Sequence, residues 1–234
     1  MGTLTEKVPK PMLKVGDKNL LELKMDILPE SVDEVILIIG YLGNVIREYF
    51  GTEYAGKKIT YVEQKNIVGG TADALWQARG ILKDRFIVMM GDDLYAQKDI
   101  EECLKKEWAL LVDNVHGKRS SGRVVTDETG NIVDILEGEH DAKEWLSSTN
   151  MFVLDTRIFN QTPVPKAPGS MELGLPQTVL AAAREQGITF SPVPATFWFQ
   201  ITEPADLASA AYLVSPVNSD RKYDWGIGAR KAKF

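Results

Sequence analysis

The chain has 234 residues, of which 44% are hydrophobic, and its 27 basic and 33 acidic side chains give a formal net charge of −6. Enough apolar residues are present to bury a core, so a mainly disordered chain is excluded. The acidic balance argues against nucleic-acid binding, which needs a basic face, and no apolar run approaches the roughly 18 residues of a membrane span.

Cysteine and histidine are scarce, which limits metal and redox chemistry. The one cysteine, Cys103, lies between Ile100 and Leu104 and is expected to fill an apolar helix position rather than act as a nucleophile. The two histidines lack Cys or Glu at ligand spacing, so we expect no zinc site, and any metal must be held by carboxylates. The start has no apolar leader, and we expect a cytoplasmic protein.

The first half of the chain predicts strands that alternate with helices. A continuous β-branched run, Val35–Ile39, is typical of a strand buried on both faces of a parallel sheet. The predicted strands are Val35–Ile39, Ile59–Val62 and Phe86–Met90, and the helices between them are Val45–Phe50 and Thr71–Ile81. This order is a βαβαβ unit.

The second half predicts a mixed sheet, because its strands are short and separated by turn residues. The predicted strands are Leu110–Val112, Gly122–Val125, Ile132–Leu136, Met151–Leu154 and Ile188–Val193, with helices at Leu175–Gln186 and Glu203–Val214. We therefore predict one domain over residues 1–214 and a basic tail over residues 215–234. We expect the tail to be a solvated end rather than a binding arm.

A glycine pair before a predicted helix is the first candidate binding site, because ligands of parallel sheets bind beyond the carboxyl ends of the strands. Gly69 and Gly70 allow the backbone to approach a ligand, and the free N–H groups of the helix start offer donors to a nucleotide. The same residues also suit a plain helix entry with Thr71 as the N-cap. The sequence leaves both interpretations open.

Two charged motifs complete the candidate site. Asp92 and Asp93 follow the third predicted strand, where a carboxylate is placed to hold Mg²⁺ against phosphates, but a turn with a capping aspartate explains them equally well. Lys10 lies between Pro9 and Pro11, which fix its backbone, so its ammonium is suited to neutralise phosphate oxygens. Taken alone, Lys10 also fits a surface lysine.

Together these motifs resemble the sugar-1-phosphate nucleotidyltransferases, the NDP-sugar pyrophosphorylases similar to glucose-1-phosphate thymidylyl- and uridylyltransferases. The motifs that match in order and spacing are Leu4–Gly16, Ile39–Gly43, Tyr61–Gln64, Gly70–Leu75 and Gly91–Leu94, and a weaker match continues to about Val214. The resemblance implies an α/β, Rossmann-like nucleotide-diphospho-sugar transferase fold with a mostly parallel mixed sheet. It also implies the Mg²⁺-assisted reaction of a nucleoside triphosphate, with UTP or dTTP favoured, and a sugar 1-phosphate to an NDP-sugar and pyrophosphate.

The resemblance also assigns roles to individual residues. Lys10 and Asp92 are the implied catalytic residues, with Lys10 on the phosphates and Asp92 holding the metal. The implied nucleotide-binding residues are Gln64, Gly69, Gly70 and Thr71, and the implied sugar-binding residues are Gly122, Glu137 and Asn150. Gln64 can pair with the amide edge of uracil or thymine, although an amide side chain can also serve other bases.

The sequence departs from the family pattern at its start. The family begins with a buried strand and a Gly-x-Gly-Thr-Arg-Leu loop, where this chain reads Met1–Leu4. Either a segment from elsewhere, for example from another chain, fills the slot of that strand, or the sequence is a shortened one. We expect a filled slot or a cleft between Val35–Ile39 and Phe86–Met90, because buried strand edges must be paired or covered.

Two further departures concern the site. Gly138 and Glu139 replace the Lys-Pro of the sugar motif, and Gln200 stands where the family has a second metal-binding aspartate. These changes favour an alternative, a catalytically impaired homologue that binds nucleotide or a partner subunit without turnover. A glycosyltransferase that consumes an NDP-sugar is a third interpretation, because Asp92 and Asp93 also suit a metal-diphosphate. A homo-oligomer stays open.

Overall fold

A computed structural model describes residues 1–215, so the predicted tail from residue 216 onward lies outside the described residues. The strands are β1 Lys14–Val15, β2 Lys18–Asn19, β3 Glu34–Ile39, β4 Glu53–Tyr54, β5 Lys57–Glu63, β6 Arg85–Val88, β7 Asp93–Tyr95, β8 Trp108–Ser120, β9 Arg123–Thr126, β10 Ile132–Leu136, β11 Glu139–Asp155, β12 Phe190–Pro194 and β13 Trp198–Gln200. The helices are α1 Leu20–Asp26, α2 Gly43–Phe50, α3 Gly70–Gln77, α4 Gln97–Leu104, α5 Leu175–Gln186 and α6 Pro204–Leu213. None of the helices in this range is long and apolar enough to cross a membrane.

The largest sheet has six strands and is mixed. Its order is β10-β9-β11-β8-β12, and β6 pairs with β11. Strands β12 and β8 are parallel, whereas β11 pairs antiparallel with β6, β8 and β9. The predicted α/β class with a mixed sheet is confirmed, but the described sheets are not mostly parallel. The reason is that the long strand β11 pairs antiparallel with β8, and antiparallel strands need no helical crossover between them.

The predicted βαβαβ order of the first half is confirmed, although a short strand, β4, is added between α2 and β5 and several element ends are shifted. Helix α3 stops at Gln77 rather than at Ile81, and turn-like hydrogen bonds from Ile81 and Leu82 to the Ala78 carbonyl follow it. Gly80 lies in this stretch, and glycine is a poor helix former. The first turn of the helix, at Gly70, is unaffected by this change and lies next to the predicted start at Thr71. This end of the helix belongs to the candidate site.

Strands β3 and β6 do not pair with each other. Strand β3 lies at the edge of a three-stranded sheet, β3-β5-β4, and among residues 1–215 β6 pairs with β11 alone. The apolar side chains of Val35–Ile38 and Phe86–Val88 are only half-buried. Direct pairing of these two strands, which would have contradicted the expected filled slot or cleft, is not observed, and each has one edge that no described strand covers.

The large sheet is covered on both faces. Along β8, Leu110 packs into the core under α3 and α5, whereas Leu111 packs into a second core with α4. This alternation follows the two-residue period of a strand. Cys103 is fully buried in α4, and burial raises the pKa of its thiol to about 12. The predicted filler position of Cys103 is confirmed.

Candidate functional site

Lys10 and Asp92 form an ion pair at the centre of the candidate site. Pro9 is extended, with φ −65° and ψ 145°, and a 3₁₀ turn, Lys10–Met12, follows it. From this frame Lys10 Nζ reaches to 2.6 Å from Asp92 Oδ2, although 82 residues separate the two in sequence. The side chains are 28% and 33% exposed, so both remain accessible to a ligand. The structure thus brings together the two predicted catalytic residues.

The turn that carries Asp92 is held on two sides. A Cβ at Gly91 would lie 3.0 Å from Pro11 Cγ, so a larger residue would push the turn away from the proline segment. On the other side, the Ile201 N–H donates to the Asp92 carbonyl at 3.2 Å. The Asp92 carboxylate therefore projects from a turn whose backbone is fixed.

Asp93 points into a buried polar cluster that the sequence reasoning missed. Its side chain is 1% exposed, and Oδ2 accepts hydrogen bonds from Trp198 Nε1 at 3.0 Å and Tyr95 Oη at 3.3 Å. Lys24 donates to the Asp93 carbonyl, and Asp93 Oδ1 has no hydrogen-bond partner. Burial, reinforced by the negative charge of Asp92, raises the pKa of the Asp93 carboxyl to about 6.

The sequence did contain a signal for this cluster. Leu20, Leu23 and Lys24 follow the i, i+3, i+4 spacing of one helix face, and all three are buried in α1. A lysine in the middle of an apolar stripe needs a buried acceptor, because an unpaired ammonium is costly to desolvate. That acceptor is the backbone next to Asp92, and only the three-dimensional structure identifies it.

The donor set at the turn fits Mg²⁺ better than a metal that needs a complete protein cage. Residues 1–215 contain no group of three or more His, Cys, Asp or Glu side chains arranged to hold a metal. Mg²⁺ usually takes one or two carboxylates and completes its shell with water and substrate phosphates. Asp92 supplies a carboxylate that is one-third exposed, and Gln200, opposite Asp93 in the β7–β13 ladder, is exposed and carries a neutral amide.

Gln64 lies against the glycine pair at the start of α3. Its Nε2 donates to the Gly70 carbonyl at 3.2 Å and to Asp73 Oδ2 at 3.0 Å. Both amide protons are therefore engaged, which leaves Oε1 as the atom that can meet a base. Gly69 must be small, because a Cβ there would lie 2.6 Å from the Asp73 carboxyl carbon.

Thr71 does not cap its own helix, so the N-cap interpretation of Thr71 is wrong. Gly69 is the N-cap of α3, and the Thr71 hydroxyl accepts from the Leu175 N–H at 3.0 Å, at the start of α5. The Gly70 backbone has φ +87°, and the Leu173 carbonyl lies where its Cβ would be. The two helix starts are joined, and glycine is required at position 70.

The predicted sugar-binding residues lie along neighbouring strands of the large sheet. Gly122 is buried, and a Cβ there would be 3.3 Å from Glu137 Oε1. The Gly122 carbonyl accepts from the Ser148 N–H at 2.8 Å, and Ser148 Oγ donates to Asn150 Oδ1 at 3.4 Å. Glu137 also accepts a hydrogen bond from Gln177 of α5. Ser148 therefore links Gly122 to Asn150, whereas Glu137 is held by α5.

Known proteins resemble this chain in sequence. The sequence profile of a family described as nucleotidyl transferase matches residues 2–212. The bifunctional protein GlmU of Methanocaldococcus jannaschii is 29% identical over 220 residues, which cover 94% of this chain and 52% of that protein. The UTP–glucose-1-phosphate uridylyltransferase AglF of Haloferax volcanii is 27% identical over 166 residues, or 67% of this chain and 68% of its own length.

A solved structure supports the fold. A UDP-glucose pyrophosphorylase in complex with UDP-glucose superposes with a TM-score of 0.68 at 18% identity, covering 91% of this chain and 92% of that chain. This likeness confirms the Rossmann-like NDP-sugar transferase fold. The chain spans about half the length of the GlmU protein it matches.

Proposed function

Because the chain belongs to the nucleotidyl transferase family, we propose that it transfers a nucleotidyl group from UTP or dTTP to a sugar 1-phosphate. The products are an NDP-sugar and pyrophosphate. The observation that carries the proposal is the Lys10–Asp92 pair, with 2.6 Å between Nζ and Oδ2. It places an ammonium and a metal-binding carboxylate side by side, which is the charge arrangement that a triphosphate and its metal require.

The reaction needs no nucleophile from the protein. A phosphate oxygen of the sugar 1-phosphate attacks the α-phosphorus and forms the new P–O bond, while the bond between the α-phosphorus and the bridging oxygen breaks. The bonding electron pair leaves with pyrophosphate. Lys10 neutralises charge on the phosphate oxygens, and the turn at Asp92 aligns them. Mg²⁺, held by Asp92 with help from the Gln200 carbonyl, would supply further positive charge there.

The orientation of Gln64 supports a preference for UTP or dTTP. With Nε2 bonded to Gly70 and Asp73, only Oε1 faces a base. Uracil and thymine present an N3–H donor to such an acceptor, whereas N3 of cytosine is itself an acceptor and is repelled. Gly69 and Gly70 let Asp73 and Leu173 pack closely against the loop that Gln64 contacts.

The sugar phosphate is proposed to lie over the large sheet. Gly122 carries no side chain, which lets it pack against Ile135 and Glu137: a Cβ there would lie 2.9 Å from Ile135 Cγ2 and 3.3 Å from Glu137 Oε1. Glu137 and Asn150 offer acceptors for sugar hydroxyls; Asn150 is held by Ser148, and Glu137 is held by Gln177 of α5. A cytoplasmic location, a homo-oligomer and the absence of nucleic-acid partners stay predictions from the sequence.

A second candidate function is nucleotide binding without turnover. The observation that favours it is the exposed Gln200 opposite Asp93, because an amide supplies no negative charge to a metal. In this case the chain binds UTP or dTTP but releases no pyrophosphate when a sugar 1-phosphate is added.

Pyrophosphate release distinguishes the two candidates. Wild-type protein is incubated with Mg²⁺, UTP or dTTP, and glucose 1-phosphate or another sugar 1-phosphate, and is compared with Asp92→Asn. Asp26→Asn is the matched control, because Asp26 also pairs with a lysine, at 2.5 Å from Lys18 Nζ, but lies in α1. Nucleotidyl transfer is supported if wild type and D26N release pyrophosphate and D92N does not. Binding of the nucleotide with no release in any variant supports the second candidate.

A further inference from the structure

Lys24 is a buried lysine directly behind the candidate metal turn. It lies in α1, its side chain is almost fully buried, and its Nζ donates to the carbonyl of Asp93. The ammonium also sits over the ring of Tyr95, 5.4 Å from the ring centroid. Burial lowers the pKa of Lys24 to about 8, so its position costs free energy that an apolar residue would not cost.

The contacts of Lys24 complete the anchoring of the turn. The Asp92 carbonyl is bonded by the Ile201 N–H, and the Asp93 carboxylate is bonded by Trp198 and Tyr95. Lys24 takes the remaining backbone acceptor, the Asp93 carbonyl. With both carbonyls and the Asp93 side chain held, Asp92 alone presents its carboxylate to solvent and to Lys10.

We propose that Lys24 is a positioning residue, which holds the backbone beside Asp92 so that the Asp92 carboxylate is directed at the metal. The inference rests on the proposed function, because it concerns the metal that Asp92 would hold. Lys24 itself touches neither the metal nor the substrate. Its effect passes through the Asp93 carbonyl, as residues behind a ligand commonly orient that ligand.

Charge alone predicts the opposite effect of removing Lys24. A cation near Asp92 repels a divalent metal, so its replacement by a neutral residue would tighten metal binding if electrostatics dominated. If Lys24 positions the turn, the same replacement weakens metal binding, because the Asp92 carboxylate is no longer held in place. The sign of the change in metal affinity therefore separates the two explanations.

The test is a titration with Mn²⁺ alone, followed by water-proton relaxation, on the full-length chain. The variants are Lys24→Met and Asp92→Asn, with Lys57→Met as the matched control. Lys57 is also a buried lysine that donates to backbone carbonyls, those of Pro29 and Val32, but in a different part of the fold. We expect K24M to bind Mn²⁺ about 10-fold more weakly than wild type, and K57M to bind it as wild type does.

Each outcome decides a different claim. Mn²⁺ binding by K24M that equals or exceeds that of wild type overturns the positioning inference and leaves the proposed function intact. Wild-type binding no stronger than that of D92N overturns the metal site at Asp92, and the inference with it. If circular dichroism shows that K24M does not fold, Lys24→Gln, which keeps an N–H donor without the charge, is scored by the same criteria.

Discussion

Lys10 Nζ lies 2.6 Å from Asp92 Oδ2, so the predicted phosphate-binding cation is paired with the predicted metal-binding carboxylate. The pair is about one-third exposed, which is the range in which an ion pair contributes about 1 kcal/mol or less. A metal and a triphosphate can therefore separate the two side chains at small cost. In the proposed function Asp92 would then hold the metal, and Lys10 would contact the phosphate oxygens.

Replacing Lys10 should have opposite effects on metal binding and on transfer. Lys10→Met removes the cation that competes for Asp92, so Mn²⁺ alone should bind up to about 5-fold more tightly. Pyrophosphate release should fall by about 100-fold, because a charge that stabilises the transition state is lost. Relaxation titration and the pyrophosphate assay measure the two effects. Unchanged release in K10M would remove Lys10 from the mechanism.

Gly70 should tolerate no side chain. Alanine at this position would place Cβ 2.5 Å from the Leu173 carbonyl oxygen, at a backbone φ of +87°. We expect Gly70→Ala to lower the free energy of unfolding by about 1–3 kcal/mol and to weaken UTP binding. Urea denaturation and calorimetric titration measure these quantities. Gly80→Ala is the control, since no atom lies within 4 Å of a Cβ there. Equal losses of stability and of UTP affinity in both variants would contradict the requirement for glycine at position 70.

Asp73 should control base selection through Gln64. Asp73 Oδ2 accepts from Gln64 Nε2 at 3.0 Å and so fixes which end of the amide faces the base. In Asp73→Asn the new amide can donate to Gln64 Oε1, which lets the Gln64 side chain turn its NH₂ towards the base and accept cytosine. The ratio of UTP to CTP affinity should then fall about 10-fold. Gln77→Ala, which removes another contact of Asp73, should leave the ratio unchanged.

Stability should rise with pH above 8 because of Lys24. Burial lowers the pKa of Lys24 from 10.5 in its ordinary state to about 8 in the folded chain. Between these values the unfolded chain holds a proton that the folded chain has released, so the free energy of unfolding increases with pH. Between pH 8 and pH 10 wild type should gain about 2 kcal/mol relative to K24M in urea denaturation. If the free energies of unfolding of wild type and K24M changed with pH in the same way, Lys24 would not titrate between pH 8 and pH 10.

Local signals explain why much of the fold was predictable. Helix α5 has the predicted bounds, Leu175–Gln186, since Pro176 stands in its first turn and Gly187 ends it in the left-handed conformation, with φ 63°. Strand β3 was readable because Val35–Ile39 is uniformly apolar. In contrast, β8 and β11 extend for 13 and 17 residues, well beyond their apolar segments. Their outer halves are mostly polar, with few apolar residues such as Val115 and Trp145, so the sequence carries only a weak strand signal there.

The site was predictable in its charged residues but not in its supports. Lys10, Gln64 and Asp92 stand in short motifs whose chemistry is visible in the sequence. The bond from Lys24 to the Asp93 carbonyl and the bond from Leu175 to Thr71 join segments 69 and 104 residues apart. Contacts over such separations depend on the packing of α1 and α5, which no local pattern encodes.

Direct detection of the sugar nucleotide is the measurement that tests nucleotidyl transfer most directly. Wild-type protein is incubated with Mg²⁺, UTP or dTTP, and glucose 1-phosphate, with other sugar 1-phosphates in parallel, and the products are identified by mass spectrometry. We expect the corresponding NDP-sugar in one-to-one ratio with pyrophosphate, formed by wild type and D26N and absent with D92N. Nucleotide that binds but stays unconverted with every sugar phosphate, or that is only hydrolysed to the monophosphate, would contradict the proposed transfer reaction.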